Sequence, residues 1–160
     1  MKIRNATIED AKVLSKIEAA CFPKAEAASL ESIKERLAQF QKHFWVAEIG
    51  EEIIGFINGM VTDSEIIQDV MYEDASMHKE DGAWQSVFGL DVMEEYRNQG
   101  YAAKLMETLI EDAKNSGRKG CILTCKDRLV HYYQKFGYEC RGKSESVHGG
   151  AVWYDMILTF

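Results

Sequence analysis

The sequence predicts a mixed α/β domain with a mostly antiparallel central sheet and helices on both faces. Three observations predict it. Amphipathic helical periods alternate with β-branched and aromatic runs along the 160 residues. Two such runs, 43–49 and 52–61, are separated only by Gly50-Glu51, which marks a hairpin. A strand over 84–92 passes through a glycine-bearing turn into a helix and then into another strand at 120–125, the order of a right-handed parallel crossover.

Taken in order, Ile3 begins a short strand. Thr7 and Asp10 form a capping-box pattern ahead of a helix whose inner face carries Ala11, Leu14, Ile17 and Cys21. Residues 22–28 hold the single proline and form a turn. Ser29 caps a second helix with Leu30, Ile33, Leu37 and Phe40 inward. After the hairpin, residues 62–83 carry seven acids without a sustained apolar period, and a connection of that length in an ordered domain is usually kept for function, so it is expected to border a substrate. Leu105, Met106, Leu109, Ile110 and Ala113 recur at helical spacing until Gly117, placed as a left-handed C-cap. Leu129, Tyr132, Tyr133 and Phe136 mark a short helix ending at Gly137, and residues 138–140 and 152–158 supply the last strands. Neither repeats nor a second domain is visible, so residues 1–160 are read as one domain, long enough to bury roughly two-thirds of its unfolded surface.

Apolar residues make up 46% and charged residues 28% of the chain, and no apolar run approaches the roughly 20 residues that span a bilayer. The expected setting is cytoplasmic: residues 1–6 lack a signal peptide's apolar core, and Cys21, Cys121, Cys125 and Cys140 form no C-x-x-C pair. A net charge of −7 argues against nucleic-acid binding, which needs cations to displace counterions from phosphates. The charge is also uneven. Residues 1–96 hold 9 basic and 19 acidic side chains, residues 97–160 hold 10 basic and 7 acidic ones. A cationic C-terminal part suits a phosphorylated cofactor and an acidic N-terminal part a cationic second substrate, unless these charges only solvate helix faces. His43, His78, His131 and His148 show no metal-ligand spacing, so no metal is expected.

Chemistry concentrates at Leu90-Asp91-Val92-Met93-Glu94-Glu95-Tyr96-Arg97-Asn98-Gln99-Gly100-Tyr101-Ala102. A turn at a helix entrance presents amides that lack intrahelical partners, and the macrodipole adds about half a positive charge, so the backbone itself can hold an anion. A Rossmann arrangement is excluded by the absence of G-x-G-x-x-G after the first strand.

Arg97-Asn98-Gln99-Gly100-Tyr101-Ala102 has the R-x-x-G-x-A form of the acetyl-coenzyme A loop of the GNAT acetyltransferase superfamily, which the whole chain resembles. More narrowly, residues 123–138, with the paired Tyr132-Tyr133, resemble the C-terminal segment of arylalkylamine (serotonin) N-acetyltransferases, and Phe22-Pro23 with residues 26–29 resemble that family's microbial members. The resemblance implies a GNAT fold with a splayed parallel strand pair mid-sheet. It assigns the amides of Asn98, Gln99, Gly100, Tyr101, Ala102 and Ala103 to the pyrophosphate of acetyl-coenzyme A, and the backbone of Leu90, Asp91 and Val92 to its acetyl and pantetheine groups. Arg97 either assists there or pairs with Glu94 or Glu95.

The implied reaction is direct attack by an amine on an activated thioester, with no covalent enzyme intermediate. By resemblance, the Leu90 N–H is the oxyanion donor and Tyr133 the acid for the departing thiolate; the alternative for Tyr133 is a core tyrosine. Tyr132 points about 100° away and is the better core candidate. Two histidines that the animal enzymes place on the strand before the loop are replaced here by Ser86 and Phe88. Candidates for the base are therefore a water chain ordered by Ser86, Glu26, or an acid from the 62–83 segment. Phe22, Phe88, Tyr72 and Thr124 are candidates for an amine pocket or, equally, for the core. Cys125 admits an acyl-cysteine route or an inert buried thiol. The expected partner is a small primary amine, of arylalkylamine or polyamine type, on a monomer or homodimer. The alternatives are a protein or peptide amine, and a non-catalytic acyl-coenzyme A sensor.

Overall fold

A computed structural model describes all 160 residues. The chain runs β1 (Lys2–Asn5), α1 (Ala11–Cys21), α2 (Leu30–Phe40), β2 (Phe44–Ile49), β3 (Glu52–Asn58), β4 (Val61–Thr62), α3 (Asp69–Glu73), β5 (Trp84–Val87), β6 (Gly89–Val92), α4 (Tyr101–Asn115), β7 (Gly120–Cys125), α5 (Val130–Gln134), β8 (Glu139–Lys143) and β9 (Tyr154–Thr159). Local signals act as their chemistry requires. Asp10 accepts from the Thr7 N–H at 2.7 Å ahead of α1, and Ser29 Oγ accepts from the Ser32 N–H at 3.1 Å to cap α2.

The strands form two sheets, ordered β1-β2-β3-β6 and β4-β5-β7-β9-β8. All pairs are antiparallel except β5 with β7. Helices α1 and α2 cover one face, where Leu14, Ile17, Ile33, Leu37 and Phe40 pack on Phe44, Val46, Phe56 and Met60. Helix α4 covers the other, where Leu105, Met106 and Leu109 pack on Trp45, Ile54, Ile57 and Leu123. No helix is long and apolar enough to cross a membrane.

Two expected strands are each divided in two. The run 52–61 leaves its sheet at Gly59, and Val61 and Thr62 pair instead with β5. The crossing is tight: a Cβ at Gly59 would sit 1.9 Å from the Ser86 carbonyl oxygen. Gly59→Ala is therefore expected to lower unfolding free energy by roughly 1–3 kcal/mol in chemical denaturation, because backbone must move to admit one methyl group.

The run 84–92 is interrupted at Phe88. Phe88 N–H donates to the Asn58 carbonyl at 2.7 Å, and Gly89 also pairs with Asn58, so two residues oppose one across a β-bulge. Before the bulge the strand lies beside β7, and beyond it β6 follows β3. Strand β7 pairs with β5 only as far as Leu123, and Thr124 and Cys125 pair with β9 alone. The two central strands therefore diverge beyond Val87 and Leu123, leaving a wedge between β6 and the end of β7. This is the GNAT fold, with its splayed parallel pair.

The acid-rich segment also departs from expectation, since it contains α3 and its acids disperse. Asp69 accepts from the Val147 N–H at 3.0 Å, Glu65 lies 3.8 Å from Arg141, and Asp63 pairs with Lys79. Of this segment only Tyr72 and Glu73 border the cavity described next.

Candidate active site

The wedge opens into a cavity of about 710 Å³, bordered by β6, the end of β7, the α1–α2 turn, α5 and residues 148–153. Leu90, Val92, Arg97, Ala102, Tyr133, Phe22, Glu26, Phe88 and Thr124 all border it. The charge division of the sequence largely reappears here, with Glu18, Glu26, Glu31, Glu35 and Glu73 beside a single cation, Arg36, from the N-terminal part and Arg97, Lys126 and Arg128 from the C-terminal part.

At the wedge's mouth stands the loop before α4. Asn98 (φ 61°) is the one non-glycine residue with positive φ, and Gly100 (φ 87°) is left-handed as well. Gly100 occupies the N-cap without a side chain to satisfy the first amides. The first α4 amide to bond at this end is that of Lys104, to the Gly100 carbonyl at 3.2 Å, so the helix geometry leaves those of Tyr101, Ala102 and Ala103 without intrahelical partners. Arg97 pairs with neither Glu94 nor Glu95. Its Nε donates to the Val92 carbonyl at 2.9 Å and its Nη2 lies 3.6 Å from Cys21 Sγ.

Strand register decides which backbone groups face the wedge. Met93 N–H donates to the Ile54 carbonyl at 2.8 Å, which makes Val92–Gly55 a non-hydrogen-bonded pair and Asp91–Phe56 the pair that exchanges both bonds. Leu90 and Val92 therefore turn their N–H and C=O groups away from β3. The backbone of Asp91 is consumed by the ladder, which corrects its expected role toward the cofactor. Its side chain is fully buried on the opposite face, toward α1.

Ser86 is likewise corrected. It is fully buried outside the cavity lining, and its hydroxyl donates to the Met60 carbonyl at 2.7 Å, so it orders no water in the cavity. Tyr132 is not a core residue: it borders the cavity, 5.2 Å from the Tyr133 ring in an edge-on arrangement. Tyr133 packs against the α4-side core and also reaches the cavity, and burial pushes its hydroxyl well above the ordinary tyrosine range. Cys125, on the same cavity wall, is a thiol pushed up to about 12 by burial and is therefore protonated and inert at neutral pH.

On the acceptor side, Tyr72 Oη and Thr124 Oγ1 lie 2.8 Å apart, and Phe88 sits 4.9 Å from the Tyr72 ring. Glu26 Oε2 accepts from Lys126 Nζ at 2.9 Å. Two residues here had no sequence signal, because long-range packing alone brings them in. His148 stacks on Tyr72 at 4.7 Å and its Nε2–H donates to the Glu26 carbonyl at 3.0 Å, while Trp153 Nε1 donates to the His148 carbonyl at 2.8 Å.

The fold does gather one histidine cluster, away from this cavity. Val61 N–H donates to His78 Nδ1 at 3.0 Å, so the neutral ring carries its proton on Nε2, which donates to Glu80 Oε1 at 2.9 Å. Burial lowers the His78 pKa and favours that neutral form. His43 Nε2 and Arg118 Nη2 approach the same carboxylate at 3.0 and 3.5 Å. A metal would need the Nε2 lone pair of His78 and would sit beside a guanidinium; the geometry is that of a hydrogen-bonded strut.

Free amides at a helix entrance, a splayed strand pair and a cavity between them form an elongated site with anion-holding capacity at its mouth. The sequence pattern of the acetyltransferase (GNAT) family matches residues 11–138, and the chain belongs to that family, a class of acetyl-coenzyme A-dependent transferases. Human N-acetyltransferase 8 is 26% identical over 114 residues, covering 69% of this chain and 44% of that protein, so the chain spans less than half the length of this relative. Among solved structures, the GphF GNAT-like decarboxylase in complex with isobutyryl-CoA superposes with a TM-score of 0.84 at 20% identity over 99% of both chains. The loading GNATL domain of CurA from Lyngbya majuscula gives 0.84 at 16% identity over 99% of this chain and 96% of its own. At these identities the likeness is one of fold.

Proposed function

We propose that residues 1–160 form one N-acetyltransferase domain that moves acetyl from acetyl-coenzyme A to the primary amine of a small molecule, of arylalkylamine or polyamine type, by direct attack in a ternary complex. The observation that carries this reading is the continuity of one cavity from the wedge, past Leu90 and Tyr133, to a chamber lined by Phe22, Tyr72, Phe88 and five glutamates. Free amides of Tyr101 to Ala103, with those of Asn98 to Gly100, would hold the pyrophosphate, and the outward backbone of Leu90 with the Val92 N–H would hold the pantetheine arm, the Val92 carbonyl being taken by Arg97 and Cys21. When bound, acetyl-coenzyme A supplies an already activated thioester. The Leu90 N–H, fixed by the strand ladder, receives the negative charge that develops on the carbonyl oxygen without reorganising. Tyr133 gives its proton to the departing sulfur.

The carboxylate-rich chamber supports a cationic acceptor, and its aromatic wall supports an arylalkyl group, in keeping with the resemblance of residues 123–138 to arylalkylamine N-acetyltransferases. The likeness to human N-acetyltransferase 8 leaves a protein or peptide amine as the competing acceptor. Four free cysteines support a reducing, cytoplasmic setting. Thiol release from acetyl-coenzyme A across arylalkylamines, polyamines, aminoglycosides and lysine peptides tests the proposal. Turnover should be greatest with an arylalkylamine or polyamine. Preference for the peptides would overturn the acceptor class, and cofactor binding without release for any amine would favour a sensor.

A further inference from the structure

Beneath the β6 bulge lie two carboxyl groups to which no chemical role has been given above. Glu18, on α1, is 6% exposed and borders the cavity; its Oε2 accepts from the Ala28 N–H at 2.9 Å, and its Oε1 has no partner. Asp91, on β6, is fully buried with both oxygens unpartnered. The two converge over Gly89, where a Cβ would lie 3.1 Å from Asp91 Oδ1 and 3.6 Å from Glu18 Oε1. The absent side chain keeps the space between this pair and the Gly89–Leu90 peptide open.

Ionised carboxylates only accept hydrogen bonds, so two facing each other in a buried site, neither bonded to the neighbouring Arg36, whose own Nε is unpartnered, are accommodated when one holds a proton. Burial and the neighbouring Glu18 raise Asp91 well above the ordinary carboxylate range. The other charged and titratable groups facing the pair are Arg36 from α2 and Cys21 from α1, with Arg97 behind Cys21. Arg36 is committed to the Asn58 side chain and the Tyr72 carbonyl, each at 3.2 Å, and bonds to neither carboxyl. Its charge balances a pair carrying one proton between them.

We propose that Glu18 and Asp91 form a shared-proton dyad, and that the Glu18 carboxylate takes the proton from the acceptor ammonium through one intervening water. The proposal rests on the N-acetyltransferase reading above and supplies the base that reading lacks. Glu18 is the member of the dyad nearer the cavity, which the residue borders although its Oε1 is covered, and Asp91 is a positioning residue that acts through it. In the balanced reaction the nitrogen loses two protons. The first passes to Glu18, freeing the lone pair that forms the C–N bond. The second leaves as the C–S bond breaks and matches the proton that Tyr133 gives to sulfur and then regains. Glu18 returns its proton to solvent, the single proton released per turnover.

The test compares wild type, Glu18→Gln and Asp91→Asn in pH profiles of kcat/KM, using the best acceptor of the amine panel and its β,β-difluoro analogue, whose nitrogen is a weaker base. Glu18→Gln should lower kcat/KM for the parent amine by about 10²-fold or more near neutral pH. Its profile should climb until the amine's own pKa, because only amine already neutral reacts, and most of the loss should disappear with the fluorinated analogue. Asp91→Asn cannot hold the shared proton and should give a smaller loss of the same kind, greater for the parent amine than for its fluorinated analogue. Unchanged profiles in both variants, or a loss equal for both amines at every pH alongside a lowered Tm, would overturn the base role. Carboxyl ¹³C NMR of the resting protein reads the dyad separately: Asp91 should stay protonated above the ordinary range in wild type and titrate lower in Glu18→Gln. Ordinary titration of Asp91 in wild type would overturn the dyad. If wild type releases no thiol with any amine, the acetyltransferase reading falls and the base role with it, while the NMR result still decides the dyad.

Discussion

Tyr133→Phe should lower kcat by about 10²-fold or more while leaving the KM for acetyl-coenzyme A within roughly twofold, because the hydroxyl is used only as the C–S bond breaks. Burial drives the Tyr133 hydroxyl up, which keeps it protonated until it is needed. The same desolvation acts on the leaving sulfur. Cys125 shows the direction at this wall, where burial pushes a thiol up. A thiolate released into the same surroundings would be a stronger base than in water, which favours proton transfer from a buried tyrosine. Loss of the hydroxyl leaves the ring, and with it the packing against Tyr132 and Tyr138, intact. Unchanged kcat in pre-steady-state measurements, with the chemical step limiting, would remove Tyr133 as the acid.

Gly100→Val should raise the KM for acetyl-coenzyme A by about 10–100-fold, and by more than Arg97→Ala. Nothing lies within 4 Å of a Cβ at Gly100, so the substitution does not disturb the core; its penalty is conformational, because φ is 87°. A branched residue there costs on the order of 1–2 kcal/mol or turns the loop, and a turned loop misaims several amides whose bonds to a charged group contribute about 1.5–3 kcal/mol each. Arg97 has less to lose. Its Nε is held by the Val92 carbonyl and its Nη2 lies against Cys21, so only part of the guanidinium is free for a phosphate. Equal, near-normal constants for both variants, measured by initial rates with the amine saturating, would displace the pyrophosphate from this loop.

Much of the architecture was legible because its signals are local. The Thr7–Asp10 and Ser29 caps, the Gly50 turn and the inward stripes of α1, α2 and α4 depend on neighbours within a few residues. The bulge at Phe88 was not legible, since two residues oppose Asn58 only once β3 has paired with β6. Nor was the sheet change at Gly59, which depends on the approach of Ser86. For the dyad a faint signal existed. Glu18 falls four residues after Leu14 and Arg36 three after Ile33, each a charge on an otherwise apolar helical stripe, and a charge so placed is buried only with a partner.

The sequence by itself determined the order of elements, the glycine-bearing helix entrance and the two-part charge division, because propensity, capping and composition are properties of short stretches of chain. Only the tertiary structure decided that Leu90 rather than Asp91 offers its backbone to the wedge, that Ser86 is spent on Met60, and that Glu18 meets Asp91 over Gly89. Each depends on strand register or helix–sheet packing, which bring together residues far apart in the chain and fix which side of a strand each group faces.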